Sequence, residues 1–129
     1  MKQVAVIILS AFLATNAFAE WLPIGKTASG VWYVNFNHVE RDGNYGATWV
    51  LQDFYKTQTY KEVPYRSSIS KYRYDCSNQS IEALQRILYS GNMSQGKVVV
   101  VEKNLAPLAA LSLPPESIGK ELVKQGCNN

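Results

Sequence analysis

The chain has 129 residues, a length that predicts a single domain. With 47% hydrophobic and 18% charged residues, the composition favours a packed core and excludes a disordered or a collagen-like chain. The formal net charge of +3 is too small to indicate a nucleic-acid partner.

The N-terminal residues have the pattern of a secretory signal peptide. Lys2 is positively charged, residues 4–14 are almost entirely apolar, and residues 17–19 (Ala-Phe-Ala) form a small-x-small cleavage site. A membrane anchor is the alternative, but the apolar run is shorter than the roughly 20 residues that span a bilayer. We expect residues 1–19 to be a cleaved signal peptide without a transmembrane segment. Residues 20–129 then form one exported domain, in the periplasm, at the cell surface or secreted.

The two cysteines, Cys76 and Cys127, are an even pair in an exported chain. This pattern predicts one disulfide bond, and the alternatives are a metal-binding pair or a catalytic thiol. The cysteines lack a CxxC spacing and the chain has one histidine, His38, so Cys and His cannot supply four zinc ligands. We expect no metal site and no cofactor.

The first half of the mature chain reads as strands joined by turns. Residues 21–25 and 31–36 are short apolar runs separated by a turn, which predicts a hairpin. Asp42-Gly43-Asn44 is a second turn, and residues 45–55 are the longest strand candidate. Both faces of that candidate carry apolar side chains, which favours a central strand covered on both sides for much of its length.

The middle of the chain gives one loop, two strands and one ambiguous segment. Residues 56–66 are polar and contain Pro64, which predicts a loop, whereas residues 67–76 alternate as in a strand. Residues 80–89 fit a helix as well as a strand, and local propensity favours the helix. Residues 97–102, with four consecutive valines, predict a strand.

The C-terminal part is predicted to end in a helix. Residues 105–113 are apolar but contain a proline, which favours irregular chain. Pro115 can occupy a first helical turn, and Glu116 complements the positive end of the helix dipole. We expect a helix over about residues 115–125, stopped by Gly126.

In the order and spacing of its motifs the mature chain resembles the surface-adhesin protein E family. The motifs are short and degenerate, and they extend over nearly the whole mature domain. They are Trp21 with Gly25, Val31-Trp32-Tyr33-Val34, Trp49-Val50-Leu51-Gln52-Asp53-Phe54, Tyr65-Arg66-Ser67-Ser68, Tyr74-Asp75-Cys76, Tyr89-Ser90-Gly91, Pro114-Pro115-Glu116-Ser117-Ile118-Gly119 and Cys127.

The resemblance implies an α+β fold: a small single antiparallel sheet of about six strands with a C-terminal helix attached by a disulfide. It favours the strand interpretation of residues 80–89. It also implies, as in some members, binding to host extracellular-matrix and serum proteins. The sequence shows no lipobox cysteine, spanning segment or sorting tail that would hold an adhesin on the cell.

Aromatic and basic residues are concentrated between residues 55 and 74, and the aromatic residues and arginine among them are of kinds enriched in protein interfaces. The alternative interpretation is that the tyrosines are ordinary strand residues and the lysines lie in a solvated loop. The predicted binding face comprises Tyr55, Lys56, Tyr60, Lys61, Tyr65, Arg66, Lys71 and Arg73.

The sequence gives no catalytic residues. His38, Asp53 and Asp75 could act in acid–base chemistry, but nothing in the sequence places them together. The serines near residue 68 lack a nucleophile-elbow setting.

We therefore predict a non-enzymatic exported binding module that acts as a surface adhesin. The alternative is a soluble periplasmic accessory or inhibitor protein. The predicted partner is a host matrix glycoprotein or an envelope protein, with a homodimer left open.

Overall fold

Strands account for most of the computed structural model, which describes residues 21–103 and 114–128. The predicted signal peptide and the predicted irregular segment 105–113 lie outside these ranges, so their structures are not described. Within the described residues the elements are β1 Leu22–Lys26, β2 Gly30–Val34, β3 Glu40–Asp42, β4 Tyr45–Tyr60, β5 Val63–Asp75, β6 Ser80–Tyr89, β7 Val98–Lys103 and helix α1 Glu116–Cys127.

All seven described strands belong to one antiparallel sheet in the order β1-β2-β4-β5-β6-β7, with β3 paired to β4. The predicted single antiparallel sheet with a C-terminal helix is confirmed. The predicted first hairpin is also present, because the Thr27 backbone N–H donates to the Gly30 carbonyl across the turn between β1 and β2.

The ambiguous segment is strand β6, as the family resemblance implied and contrary to local helix propensity. It pairs with β5 on one side and with β7 on the other. Two neighbouring strands satisfy its backbone N–H and C=O groups, so tertiary pairing outweighs the weak local preference for a helix.

The prediction of a loop over residues 56–66 is wrong. β4 continues to Tyr60, β5 begins at Val63, and only Lys61 and Glu62 form the turn, with φ of 48° and 69°. Two consecutive positive φ values are the geometry of a tight hairpin turn. Pro64 is tolerated in β5 because it lies beyond the last β5–β6 pair, where no described strand requires its missing N–H.

Alternation along the strands divides their side chains between two faces of the sheet. The covered face contacts α1, and its core comprises Trp32, Val34, Val50, Tyr72, Tyr74, Ala83, Ile118, Leu122 and Val123. The open face is opposite, and no described α-helix packs on it, although the 3₁₀ turn Asn92–Ser94 is hydrogen-bonded to Asp53 and Ser67 at one end. It carries a row of directly opposed residues on five adjacent strands: Tyr33, Leu51, Ile69, Ile87 and Val101.

β4 has the predicted central position, with α1 over its covered face and the 3₁₀ turn Asn92–Ser94 hydrogen-bonded to Asp53 on its open face. Val50 on the covered face is 1% exposed and Leu51 on the open face is 0% exposed. Tyr33 and Ile69 lie directly opposite Leu51 on β2 and β5, and the turn Asn92–Ser94 contacts the same face at Asp53.

Helix α1 packs closely on the covered face through Ile118, Leu122 and Val123. The prediction that Gly126 stops the helix is wrong, because α1 continues to Cys127. Gly126 instead allows close packing, because a Cβ at this position would lie 2.6 Å from Cδ2 of Tyr74. The absence of a side chain lets the last turn of the helix rest on that ring.

The predicted disulfide is confirmed. Cys76, immediately after β5, is bonded to Cys127 at the end of α1, with their Cα atoms 5.6 Å apart. Cys127 also packs against the hydrophobic core. The bond therefore ties the end of the helix to the sheet that the helix covers.

Candidate binding surfaces

The structure divides the predicted binding face into two groups. Tyr55, Lys56, Tyr60, Lys61, Tyr65 and Arg66 lie on the outer part of the β4–β5 hairpin, which we call the arm (residues 55–66). Lys71 and Arg73 lie nearer the middle of β5, on the open face, opposite Trp49 and Ala47. The eight residues therefore do not form one continuous surface.

The arm bends onto the covered face at an irregularity in the β4–β5 ladder. Between Asp53 and Gln58 the chain advances five residues along β4, against two residues along β5. Such an insertion bends a hairpin and increases its twist. Edge-to-face contact of Phe54 with Tyr65, with ring centroids 5.6 Å apart, packs the inner side of the bend.

A hydrogen-bonded latch holds the tip of the arm. The Tyr60 hydroxyl donates to one carboxylate oxygen of Glu102 at 2.5 Å, and Arg86 donates to the other from Nε and Nη2 at 2.9 and 2.6 Å. The Arg86 guanidinium also lies over the Tyr60 ring, 5.5 Å from its centroid. The latch joins β4 to β6 and β7 across the covered face.

The latch determines the ionisation of Glu102. Burial raises the pKa of this carboxyl, but the hydrogen bonds from Tyr60 and Arg86 and the charge of Arg86 outweigh burial, so the pKa lies below its usual value. Burial is also the main cause that raises the pKa of the nearby Tyr65 hydroxyl. At neutral pH Glu102 is therefore ionised and the Tyr65 hydroxyl is neutral.

The outer surface of the arm is basic and aromatic. Tyr55 is 54% exposed, and the Lys56 and Lys61 side chains are exposed. The arm has one acid, Glu62, and none of its three cations forms an ion pair with any residue that the structure describes. Arg66 is held by a hydrogen bond from Nη2 to the Tyr55 carbonyl, at 3.1 Å.

Lys71 and Arg73 are paired with acids. The Lys71 ammonium lies 2.9 Å from a carboxylate oxygen of Glu40, and Arg73 forms an ion pair with Glu82. The intervening Tyr72 and the following Tyr74 are buried on the covered face, where burial raises the pKa of both hydroxyls. The Tyr74 hydroxyl is hydrogen-bonded to Thr48.

A groove of about 810 Å³ lies on the open face next to Lys71. Its lining is partly apolar and partly polar. The apolar residues are Trp21, Val39, Trp49, Ile69 and Ile87, and the polar ones are Asn35, Asn37, His38 and Glu40. Sequence reasoning missed this groove. The sequence indicated Trp21, Trp49 and Ile69 only as strand residues. Their proximity could not be predicted, because it depends on the register of several strands.

The similarity to known proteins extends over nearly the same residues as the described fold. The family model of surface-adhesin protein E matches residues 21–128. The chain belongs to the surface-adhesin protein E family. No curated protein sequence matches it significantly.

The solved structures that resemble this member of the family are those of Haemophilus influenzae protein E. Crystal form II aligns with a TM-score of 0.60 at 15% identity, over 88% of this chain and 91% of that chain. A second structure of the same protein aligns with a TM-score of 0.58 at 14% identity, over 89% and 92% of the two chains. At these identities the likeness concerns the fold.

Family membership supports a surface adhesin in general terms, exposed at the cell surface or secreted. In the part of the chain that the structure describes, no helix has the length and hydropathy of a membrane span.

The residues considered for acid–base chemistry are not assembled into a site. Asp53 pairs with Ser67 and Asp75 with Tyr45, so the two carboxylates are roughly 27 Å apart along the ladder at about 3.4 Å per residue. Asp53 accepts hydrogen bonds from the side chain of Asn92 and the backbone of Met93.

Asp75 has a turn-forming contact of its own. It accepts a hydrogen bond from the Ser77 hydroxyl, which is the main cause that lowers the pKa of its carboxyl. His38 is exposed at the end of a 3₁₀ turn, Phe36–His38. The described residues contain no group of three or more His, Cys, Asp or Glu side chains that could hold a metal ion.

Proposed function

We propose that this protein is a non-enzymatic adhesin, exported through a cleaved signal peptide, that binds a host extracellular-matrix or serum protein through the outer surface of the arm. The observation that carries the proposal is the combination of exposed Tyr55 with the cations Lys56, Lys61 and Arg66, which form no ion pair among the described residues. Tyrosine and arginine contribute strongly to protein interfaces, and unpaired cations attract an acidic partner.

The latch supports this role because it presents the arm in one orientation. Tyr60 and Arg86 both bind Glu102, so the arm is attached to β6 and β7 in the unbound protein. A surface that is already ordered loses less conformational entropy on binding. Lys71 and Arg73 are left out of the proposed contact surface, because their charges are compensated by Glu40 and Glu82.

The binding test compares two double variants of the mature protein. Lys56→Ala with Lys61→Ala removes two arm cations, and Lys120→Ala with Lys124→Ala removes two exposed cations from α1. Both lower the net charge by the same amount. Arg66 is kept, because its Nε is buried without a hydrogen-bond partner in the described structure, and truncation there would disturb packing.

Binding to a solubilised basement-membrane extract and to whole serum is measured by biolayer interferometry. We expect the arm variant to bind about tenfold more weakly, or about 1.4 kcal/mol, while the α1 variant binds as the unmodified protein does. Equal binding by all three proteins would show that the arm is not the contact surface.

Location is tested by protease treatment of intact producing cells, with a periplasmic protein as control. An adhesin must be digested while the periplasmic control survives. Protection until the outer membrane is opened would contradict surface display and favour the alternative, a periplasmic accessory protein. Sequencing the N-terminus of the mature chain checks the expected cleavage after Ala19.

A further inference from the structure

The groove on the open face brings two indole rings together from different elements. Trp21 precedes β1 and Trp49 lies in β4, and both are only partly buried. Val39, with Ile69 and Ile87 of β5 and β6, completes the apolar lining. A volume of about 810 Å³ lies within the roughly 300–1,000 Å³ usual for small-molecule sites.

A hydrogen-bond donor, the Lys71 ammonium, lies over one face of the Trp49 ring, and its acceptor partner is Glu40. The Lys71 ammonium is 5.7 Å from the ring centroid and 2.9 Å from Glu40 Oε2. The Glu40 side chain is 62% exposed, so its carboxylate retains acceptor positions that Lys71 does not use. The site therefore combines an aromatic surface with a donor–acceptor pair at its margin.

The wall of the groove is held in place by a nearly buried amide. Asn35 is 7% exposed, and its Oδ1 accepts a hydrogen bond from the Asn37 N–H at 3.0 Å. This bond fixes the start of the 3₁₀ turn Phe36–His38, from which the exposed Asn37 reaches the groove. Asn37 adds a second neutral hydrogen-bonding side chain to the wall.

The charges beside the groove select among ligand classes. The basic side chains at the groove are Lys71, which is paired with Glu40, and His38 in the wall, so an acidic glycan or a phosphate would meet the Glu40 carboxylate and a lysine that is already paired. An entirely apolar ligand would remove water from Glu40 and Asn37 without replacing their hydrogen bonds, which is costly. A pyranose has an apolar C–H face for an indole and a rim of hydroxyls that both donate and accept hydrogen bonds.

We propose that this groove binds a neutral saccharide, stacked on Trp49 and Trp21 and hydrogen-bonded by Glu40, Lys71 and Asn37. The site lies on the open face, whereas the arm bends onto the covered face, so this proposal does not depend on arm binding. It gives the chain a second recognition surface with a different ligand chemistry.

The test begins with the mature protein on an array of neutral, sialylated and sulfated glycans. The methyl glycosides of glucose, galactose, mannose and N-acetylglucosamine are then titrated while the indole N–H signals are followed by NMR. Trp32 provides an internal control, because it is 5% exposed in the core beneath α1. We expect saturable shifts for Trp21 and Trp49, in the millimolar range for a single sugar, and none for Trp32.

Two variants with matched ion-pair losses locate the site. Glu40→Ala removes the partner of Lys71, and Glu82→Ala removes the partner of Arg73, which is also on β5. We expect Glu40→Ala to weaken saccharide binding at least tenfold and Glu82→Ala to leave it unchanged. The arm double variant should also retain saccharide binding.

Three results would overturn the proposal. One is the absence of a saturable response to every neutral glycan and methyl glycoside. Another is binding confined to sialylated or sulfated glycans, which would mean that an anion is recognised. The third is equal loss of binding in Glu40→Ala and Glu82→Ala, which would place the site outside the groove.

Discussion

The two faces of the sheet are made from alternate residues of the same strands, yet they differ in how they are shielded. On the covered face Val34, Tyr72 and Tyr74 are at most 1% exposed beneath α1. On the open face Val101 is 53% exposed, although Leu51 in the same row is fully buried. The comparison indicates that the covered face supplies most of the stability, whereas the open face keeps apolar surface accessible to a ligand.

The largest effect is expected from loss of the disulfide that closes the covered face. Replacing both cysteines, Cys76→Ser with Cys127→Ser, should lower the free energy of unfolding by about 4 kcal/mol, because the bond closes a loop of 51 residues. Urea unfolding of the double variant, beside unmodified protein with and without reductant, measures the loss. An unchanged midpoint in the double variant would show that α1 is held by packing alone.

A direct comparison of the faces comes from two truncations. Leu122→Ala removes a fully buried side chain from the helix–sheet core and should cost about 2–5 kcal/mol. Ile87→Ala on the open face truncates a half-buried side chain and should cost about 1 kcal/mol. Thermal and urea unfolding give both values, and similar losses would contradict the assignment of stability to the covered face.

Two glycines of α1 sharpen the comparison further. Gly126→Ala places a Cβ 2.6 Å from the Tyr74 ring, and the resulting strain should destabilise the protein by about 1–3 kcal/mol. Gly119→Ala meets only Pro114 at an ordinary 3.6 Å, so better helix propensity should stabilise the protein by about 0.5–1 kcal/mol. Opposite signs are expected in urea unfolding, and equal signs would contradict close packing at Gly126.

The smallest global effect is expected at the latch. Glu102→Gln removes the charge that binds Tyr60 and Arg86, and should lower global stability by less than about 1 kcal/mol while accelerating amide exchange in the arm. Because the folded-state pKa of Glu102 is lowered, its ionised form favours the latched state. That contribution is present above the usual glutamate pKa and is lost as pH falls through the lowered value.

Hydrogen exchange of the arm as a function of pH checks this latch prediction. In the unmodified protein the arm should exchange faster as the pH falls below the usual glutamate value, after correction for the intrinsic exchange rate. Glu102→Gln should show no such step. A step of equal size in the variant would assign the pH response to another group.

Much of the architecture could be predicted from the sequence because alternation and turn chemistry act locally. The hairpin at Thr27–Gly30, the central position of β4 and the terminal helix all follow from such patterns. The arm could not be predicted, because neither Lys61 nor Glu62 is a usual residue for positive φ and Pro64 is a usual loop residue. Its strands are stabilised by their pairing with each other and by the latch to Glu102.

The candidate site was less predictable than the fold. Charge and aromatic content identified the arm, but they could not show that Lys71 and Arg73 have acidic partners distant in sequence. The groove depends on the register that brings Trp49, Ile69 and Ile87 near Trp21. A shift of one residue would exchange the two faces of a strand, so sequence patterns alone cannot fix such a site.

The position of the disulfide has a consequence for the order of biosynthesis. Cys127 follows Cys76 by 51 residues. Strands β6 and β7 lie between the two cysteines, and α1 ends at Cys127. The ribosome must therefore complete all three elements before the covalent closure can form, and the closure also requires an oxidising compartment. A chain still in the reducing cytoplasm lacks this lock, which favours its remaining loosely folded for passage through an export channel.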